Sequence, residues 1–119
     1  MIDKKLLFAK EVLELSFGYC IDAIWYNIES RRPNYSHFEK IEEFCYVLKV
    51  AMKKGILRIA NDGVFLEGTP ESIAEIFKSS FPPSEKKMSD VVFCLDSDDN
   101  IWMPGGGVWI CGDGDEIWT

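Results

Sequence analysis

Residues 36–70 read SHFEKIEEFCYVLKVAMKKGILRIANDGVFLEGTP, and within this stretch the hydrophobic period changes from that of a helix to that of a strand. Ser36 followed by Glu39 is a capping box, in which each side chain satisfies a free amide of a helix start. Phe38, Ile41, Cys45, Leu48 and Met52 then recur at steps of three and four, which puts them on one helical stripe. Lys53, Lys54 and Gly55 end that helix with cations and a residue that accepts left-handed backbone. Ile56–Ala60 and Val64–Glu67 follow, joined by Asn61-Asp62-Gly63, and they read as a hairpin. Gly68-Thr69-Pro70 restarts a helix with a cap and a proline at its first position. One helix, one hairpin and another helix within 45 residues or so define an α+β chain.

Upstream, Ile2, Leu6, Leu13 and Phe17 form one stripe with Phe8, Val12 and Leu15 beside it, so Ile2 to about Phe17 is expected to be helical. After Gly18, residues Tyr19 to Arg31 carry Ile21, Ile24, Trp25 and Ile28 at helical spacing and stop before Pro33. Downstream, Pro70 to about Ser80 turns Ile73, Ile76 and Phe77 inward, and Pro82-Pro83 stops it. Ser84 to Ser89 is polar and reads as a flexible loop. Val91–Leu95, Ile101–Met103 and Val108–Cys111 are short, β-branched or aromatic, and separated by turn residues, with Glu116–Thr119 as a last short strand. The expected architecture is N-terminal helices packed on a small antiparallel sheet formed mainly by the C-terminal segment. At 119 residues the chain is expected to be a single domain spanning 1–119.

The chain has 13 basic and 20 acidic residues, a net charge of -7. Residues 1–89 hold 13 of each sign, whereas residues 90–119 hold no base and seven acids: Asp90, Asp96, Asp98, Asp99, Asp113, Asp115 and Glu116. Such a field repels phosphate and favours a basic partner, so neither nucleic acid nor an anionic membrane is expected to bind. No apolar run approaches the roughly 18–20 residues of a membrane span, and the stretch from Met1 to Lys5 does not open a signal peptide. A cytoplasmic location is expected. Cys20, Cys45, Cys94 and Cys111 are widely spaced and lack a CxxC pair, which points to reduced structural thiols. Cys94 and Cys111 would face each other only if their strands were neighbours.

The sequence carries no catalytic pattern. His37 is the only histidine and falls in the first turn of the capped helix, where a surface or capping role is commonest. Glu42 and Glu43 are adjacent, so on a helix they point about 100° apart and share no acid/base site. Asp96-Ser97-Asp98-Asp99-Asn100 begins like a calcium loop, but Ile101 stands where glycine is needed and Gly107 where a bidentate glutamate is needed. Pro104-Gly105-Gly106-Gly107 lacks the lysine and following helix of a phosphate cradle. No enzyme activity and no cofactor or metal are expected.

Three of the four tryptophans, Trp102, Trp109 and Trp118, lie among the surplus acids. Tryptophan anchors interfaces, and acidic rims steer basic partners toward them. Strand alternation sets Trp109 on the face opposite Val108 and Ile110. The candidate partner-binding residues are therefore Asp98, Asp99, Trp102, Trp109, Asp113, Asp115 and Glu116.

The series Gly55-Ile56-Leu57, Asp62 to Glu71, Phe93-Cys94-Leu95-Asp96, Trp102 to Gly106, Trp109 and Gly112-Asp113-Gly114 resembles a bacterial family of unknown function. The resemblance implies an α+β domain. Some relatives are encoded beside contact-dependent growth inhibition toxins and look like their immunity proteins, so it also implies an inhibitor of a basic toxin domain. It supplies no catalytic residue. The alternative is a secretion-type chaperone or adaptor for an extended client, with the Phe38, Ile41, Cys45, Leu48, Met52 stripe as its dimer surface.

Overall fold

A computed structural model describes residues 3–119; Ile2, counted on the first helical stripe, lies outside them. Four helices cover one face of a four-stranded antiparallel sheet. Helix α1 spans Lys4–Ser16, capped by Asp3, whose carboxylate accepts from the amides of Lys5 and Leu6. Helix α2 spans Asp22–Arg31, starting later than expected because Phe17 and Gly18, the latter at positive φ, form a turn closed by the Tyr19 amide on the Ser16 carbonyl, and Tyr19 and Cys20 lead out of it without helical structure. Helix α3 spans His37–Lys53 and carries the predicted capping box, both halves of which form. Helix α4 spans Pro70–Ser80, capped by Thr69, whose hydroxyl accepts from the Ser72 amide at 3.1 Å.

Strands β1 (Leu57–Asn61) and β2 (Val64–Phe65) are the predicted hairpin, with Asp62 and Gly63 at positive φ in its turn. Strands β3 (Gly106–Ile110) and β4 (Glu116–Trp118) form a second hairpin, and the sheet order is β2-β1-β3-β4. The whole sheet thus lies in the C-terminal half of the chain. Its register aligns Leu57, Trp109 and Ile117 in one row and Arg58, Val108 and Trp118 in the next.

Alternation sends the first row inward, where Leu57 and Trp109 are buried in the same apolar cluster as the helices. Helix α3 is the centre of that cluster, packing against α1, α2, α4 and β1. Its Ile41, Cys45 and Leu48 are buried, so the stripe the adaptor reading needs as a dimer surface is core; only Phe38 at its end stands clear, 64% exposed.

The glycine run before and within β3 is a packing device. A Cβ on Gly107 would overlap Ile21 Cγ2, and one on Gly105 would lie 2.6 Å from the Ala60 carbonyl oxygen. Side chains at these two positions would push β3 and the segment leading into it away from the start of α2 and from β1.

Two expected strands are not formed. Val91–Leu95 and Ile101–Met103 have irregular backbone with isolated bridges at Met88 to Asp96 and Leu95 to Ile101. Their aromatic residues serve packing instead. Phe93 and Trp102 insert into a ring cluster with Trp25, Phe44 and Phe81, and the Trp102 and Phe81 centroids are 4.2 Å apart. Trp102 Nε1 donates to the Phe93 carbonyl oxygen at 2.7 Å, which closes the loop on itself and holds its two rings together. Ser84–Ser89, expected to be flexible, contains the short 3-10 helix Glu85–Lys87 and is tied to the same loop by Ser89 N to Leu95 O and Ser97 N to Lys87 O.

Candidate interaction face

The second row of the sheet points away from the helices, and it has a small apolar layer of its own. Phe65 on edge strand β2 and Trp118 on edge strand β4 reach toward each other, ring centroids 5.2 Å apart, across the two central strands. Beneath them Ala60 and Val108 are buried. The Arg58 guanidinium stacks on Phe65 at 3.6 Å from its centroid, a cation-π contact that leaves its N–H edges free. Trp118 remains 50% exposed, and its indole N–H donates to Glu116 Oε1 at 3.2 Å.

The turn between β3 and β4 carries the acids. Asp113 accepts from the Asp115 amide at 3.0 Å, closing the turn, and Gly114 takes positive φ. Asp113, Asp115 and Glu116 are all exposed; Glu116 meets Trp118 directly, and Asp113 and Asp115 stand in the turn that leads into β4. The result is an acidic rim next to a half-exposed aromatic anchor.

The other predicted residues are placed differently. Asp98 and Trp102 line a separate hollow with Phe81, Pro82 and Lys87. That hollow is built on the end of α4 and the connection from α4 to β3, whereas the acidic turn joins β3 to β4. Asp98 and Asp99 belong to a turn organised by Asp96, whose Oδ1 accepts from the amides of Asp98 and Asn100 at 2.9 and 3.0 Å.

Trp109 is corrected outright as a contact residue: it is fully buried, ring to ring with Phe17 at 5.1 Å, and its Nε1 donates to the Tyr19 carbonyl oxygen. A side chain with no exposed surface cannot meet a partner. Trp118 is instead the exposed tryptophan of the sheet, and the sign of it was in the alternation: Trp118 pairs with Val108, on the face opposite Trp109.

The titratable groups considered for catalysis have structural surroundings. His37 Nε2 lies 2.8 Å from the Pro82 carbonyl oxygen and its ring meets Trp25 edge-on, which joins the start of α3 to the end of α4. Glu42 forms an ion pair with Lys78 of α4. Burial pushes the Cys45 thiol up to about 12, which makes it a poor nucleophile. All four cysteines are free, and Cys94 sits near the start of β3 while Cys111 follows its end. Among the described residues no three His, Cys, Asp or Glu side chains gather as a metal site, and no helix is long and apolar enough to cross a membrane.

Fold and face together define a small α+β protein with a helical layer on one side of its sheet and an aromatic, acid-rimmed surface on the other. Residues 52–119 match the family described as Protein of unknown function, DUF596, and the chain belongs to that family. Its fold is similar to that of an uncharacterized protein conserved in bacteria from Neisseria meningitidis, with a TM-score of 0.73 and 21% identity over 97% of this chain and 89% of that one. No curated protein matches the chain.

Proposed function

We propose that this protein is a binding protein without catalytic activity, an immunity protein that neutralises a basic toxin domain in the bacterial cytoplasm. The observation that carries the reading is the β3–β4 hairpin, which bears three exposed acids in its turn and last strand, Glu116 of them in contact with Trp118, itself braced on Phe65. Toxins that cleave nucleic acid carry a basic surface, and a preformed acidic rim around an aromatic anchor suits such a surface in both charge and shape. Rigidity supports it too, since a pre-organised face loses little conformational entropy on binding. The adaptor reading has less support, because the stripe it requires is inside the core.

The test is capture from the source bacterium. Wild-type chain is expected to retain a basic protein whose toxicity it suppresses when the two are co-expressed. A variant combining Asp113→Asn, Asp115→Asn, Glu116→Gln and Trp118→Ala, checked to be folded, is expected to lose both. Equal retention and protection by that variant would place the interface elsewhere.

A further inference from the structure

The helical layer contains a second site, built entirely from residues 4–43 and therefore outside the sheet and outside the segment that the family match covers. It is a cleft of about 400 Å³ between the first turns of α1, the α2–α3 connection and the outer side of α3, within the usual range of small-ligand pockets. Its floor holds Glu43, which is only 7% exposed. Among the described residues Glu43 has no ion pair, and none of its carboxylate oxygens is an orphaned buried atom, so the charged end of this largely buried side chain keeps contact with solvent at the cleft. A carboxylate on a side chain so desolvated gains from a cationic partner.

The charges around it are unequal in their commitments. Glu39 accepts from the Ser36 amide in the capping box and Glu42 is paired with Lys78, so both acids at the rim are in use. Lys4, Lys5 and Arg32 are exposed at the mouth and none of them forms an ion pair among the described residues, although Lys5 Nζ rests over the Tyr46 ring at 4.3 Å from its centroid. Arg32 stacks on Phe8 at 4.0 Å and donates one bond to the Arg31 carbonyl oxygen, leaving most of its in-plane N–H groups directed outward. Tyr35 and Phe38 complete an aromatic wall. The cleft thus offers an anion site at its mouth, a cation site at its floor and an apolar surface between.

A simple anion would leave Glu43 unmatched, and a simple cation would be repelled by the three basic residues at the entrance. We propose that this cleft binds a small zwitterion of the amino-acid class, its carboxylate on Arg32 and the Lys4–Lys5 pair, its ammonium on Glu43, and its side chain against Phe8, Tyr35 and Phe38. Burial raises the Glu43 carboxyl above its ordinary range while Lys5 and Arg32 pull it back, and an arriving ammonium would add to that second effect.

Titration of isotopically labelled protein with L-phenylalanine, followed by amide chemical shifts, tests the assignment. Phenylacetate and phenethylamine, each lacking one of the two charges, are the controls, and the other free amino acids are run in parallel so that the side chain is not prejudged. Saturable shifts confined to residues 4–8 and 32–43 are expected with one or more amino acids at millimolar concentration, and each single-charge control is expected to bind at least about tenfold more weakly. Glu43→Gln should weaken the zwitterion about tenfold while sparing phenylacetate, and Arg32→Ala should weaken both. Thermal unfolding of each variant confirms its fold. No saturable shift from any amino acid, shifts outside the cleft, or phenylacetate binding as tightly as L-phenylalanine would each overturn the proposal.

Discussion

Trp109 Nε1 donates a 2.7 Å hydrogen bond to the carbonyl oxygen of Tyr19, across 90 residues of chain, and so joins the central strand β3 to the turn between α1 and α2. The donor is buried and the ring also packs on Phe17. Trp109→Phe would leave that carbonyl unpaired and open space beside Phe17. A loss of about 2–4 kcal/mol in denaturant unfolding is expected, with any partner binding by the hairpin face retained in the folded fraction.

Gly107 and Gly112 should behave oppositely. Gly107→Ala brings its Cβ into Ile21 and is expected to cost about 1–3 kcal/mol, whereas Gly112→Ala meets nothing within 4 Å and is expected to fall within about 0.5 kcal/mol of wild type. Repeating Gly107→Ala in an Ile21→Ala background should reduce its cost, and a double-mutant cycle measures that coupling directly.

Two buried acidic groups give the stability curve its shape against pH. Burial raises both Glu43 and Cys45 above their ordinary values, so in each case the folded chain holds its proton more tightly than the unfolded one. Their contributions are complete below the unfolded pKa values, near 4.5 and 9.0, and decline as pH rises through the folded ones. Glu43→Gln should therefore raise the unfolding midpoint at pH 7 and change it less at pH 4. Wild-type stability should fall again between pH 9 and about 12 as unfolded Cys45 ionises, and Cys45→Ser is expected to remove that part of the slope.

The hairpin acids should affect rates more than final affinity. With the captured partner in hand, Asp113→Asn, Asp115→Asn and Glu116→Gln together should slow association and flatten its dependence on salt, because exposed charges act through a screened field. Trp118→Ala should instead speed dissociation, costing about 2 kcal/mol or more of binding. Stopped-flow association at several ionic strengths separates the two.

Most of the fold was legible because local chemistry and tertiary packing agree in it. The Ser36–Glu39 box, the Asn61-Asp62-Gly63 turn and the Thr69-Pro70 start all form where the residues place them. Residues 91–103 were not legible. Phe93 and Trp102 have the composition of strand residues, yet that composition measures fitness for a half-buried surface, and here the surface is a cluster of helix-borne rings. The candidate face was half legible. Counting charge found the acids of the hairpin, but choosing among tryptophans required the register that sets Trp109 inward and Trp118 outward. The burial of Glu43 was not legible, because adjacency to Glu42 says only that the two point apart; that one of them would sit near Arg32 and Lys5 depends on how α1 and the α2–α3 connection cross α3.

The family match begins at Met52, in the last turn of α3. Of the helical layer only α4 lies inside the match; α1, α2 and nearly all of α3, with the core residues Ile21, Phe44 and Leu48, come before it. A chimera that transplants 52–119 into another protein would carry a floor with most of its ceiling missing, exposing Leu57, Ile59 and Trp109 to water. What is inherited as a recognisable stretch is here only half of a folding unit, and the host would have to supply a helical lid shaped around Gly107.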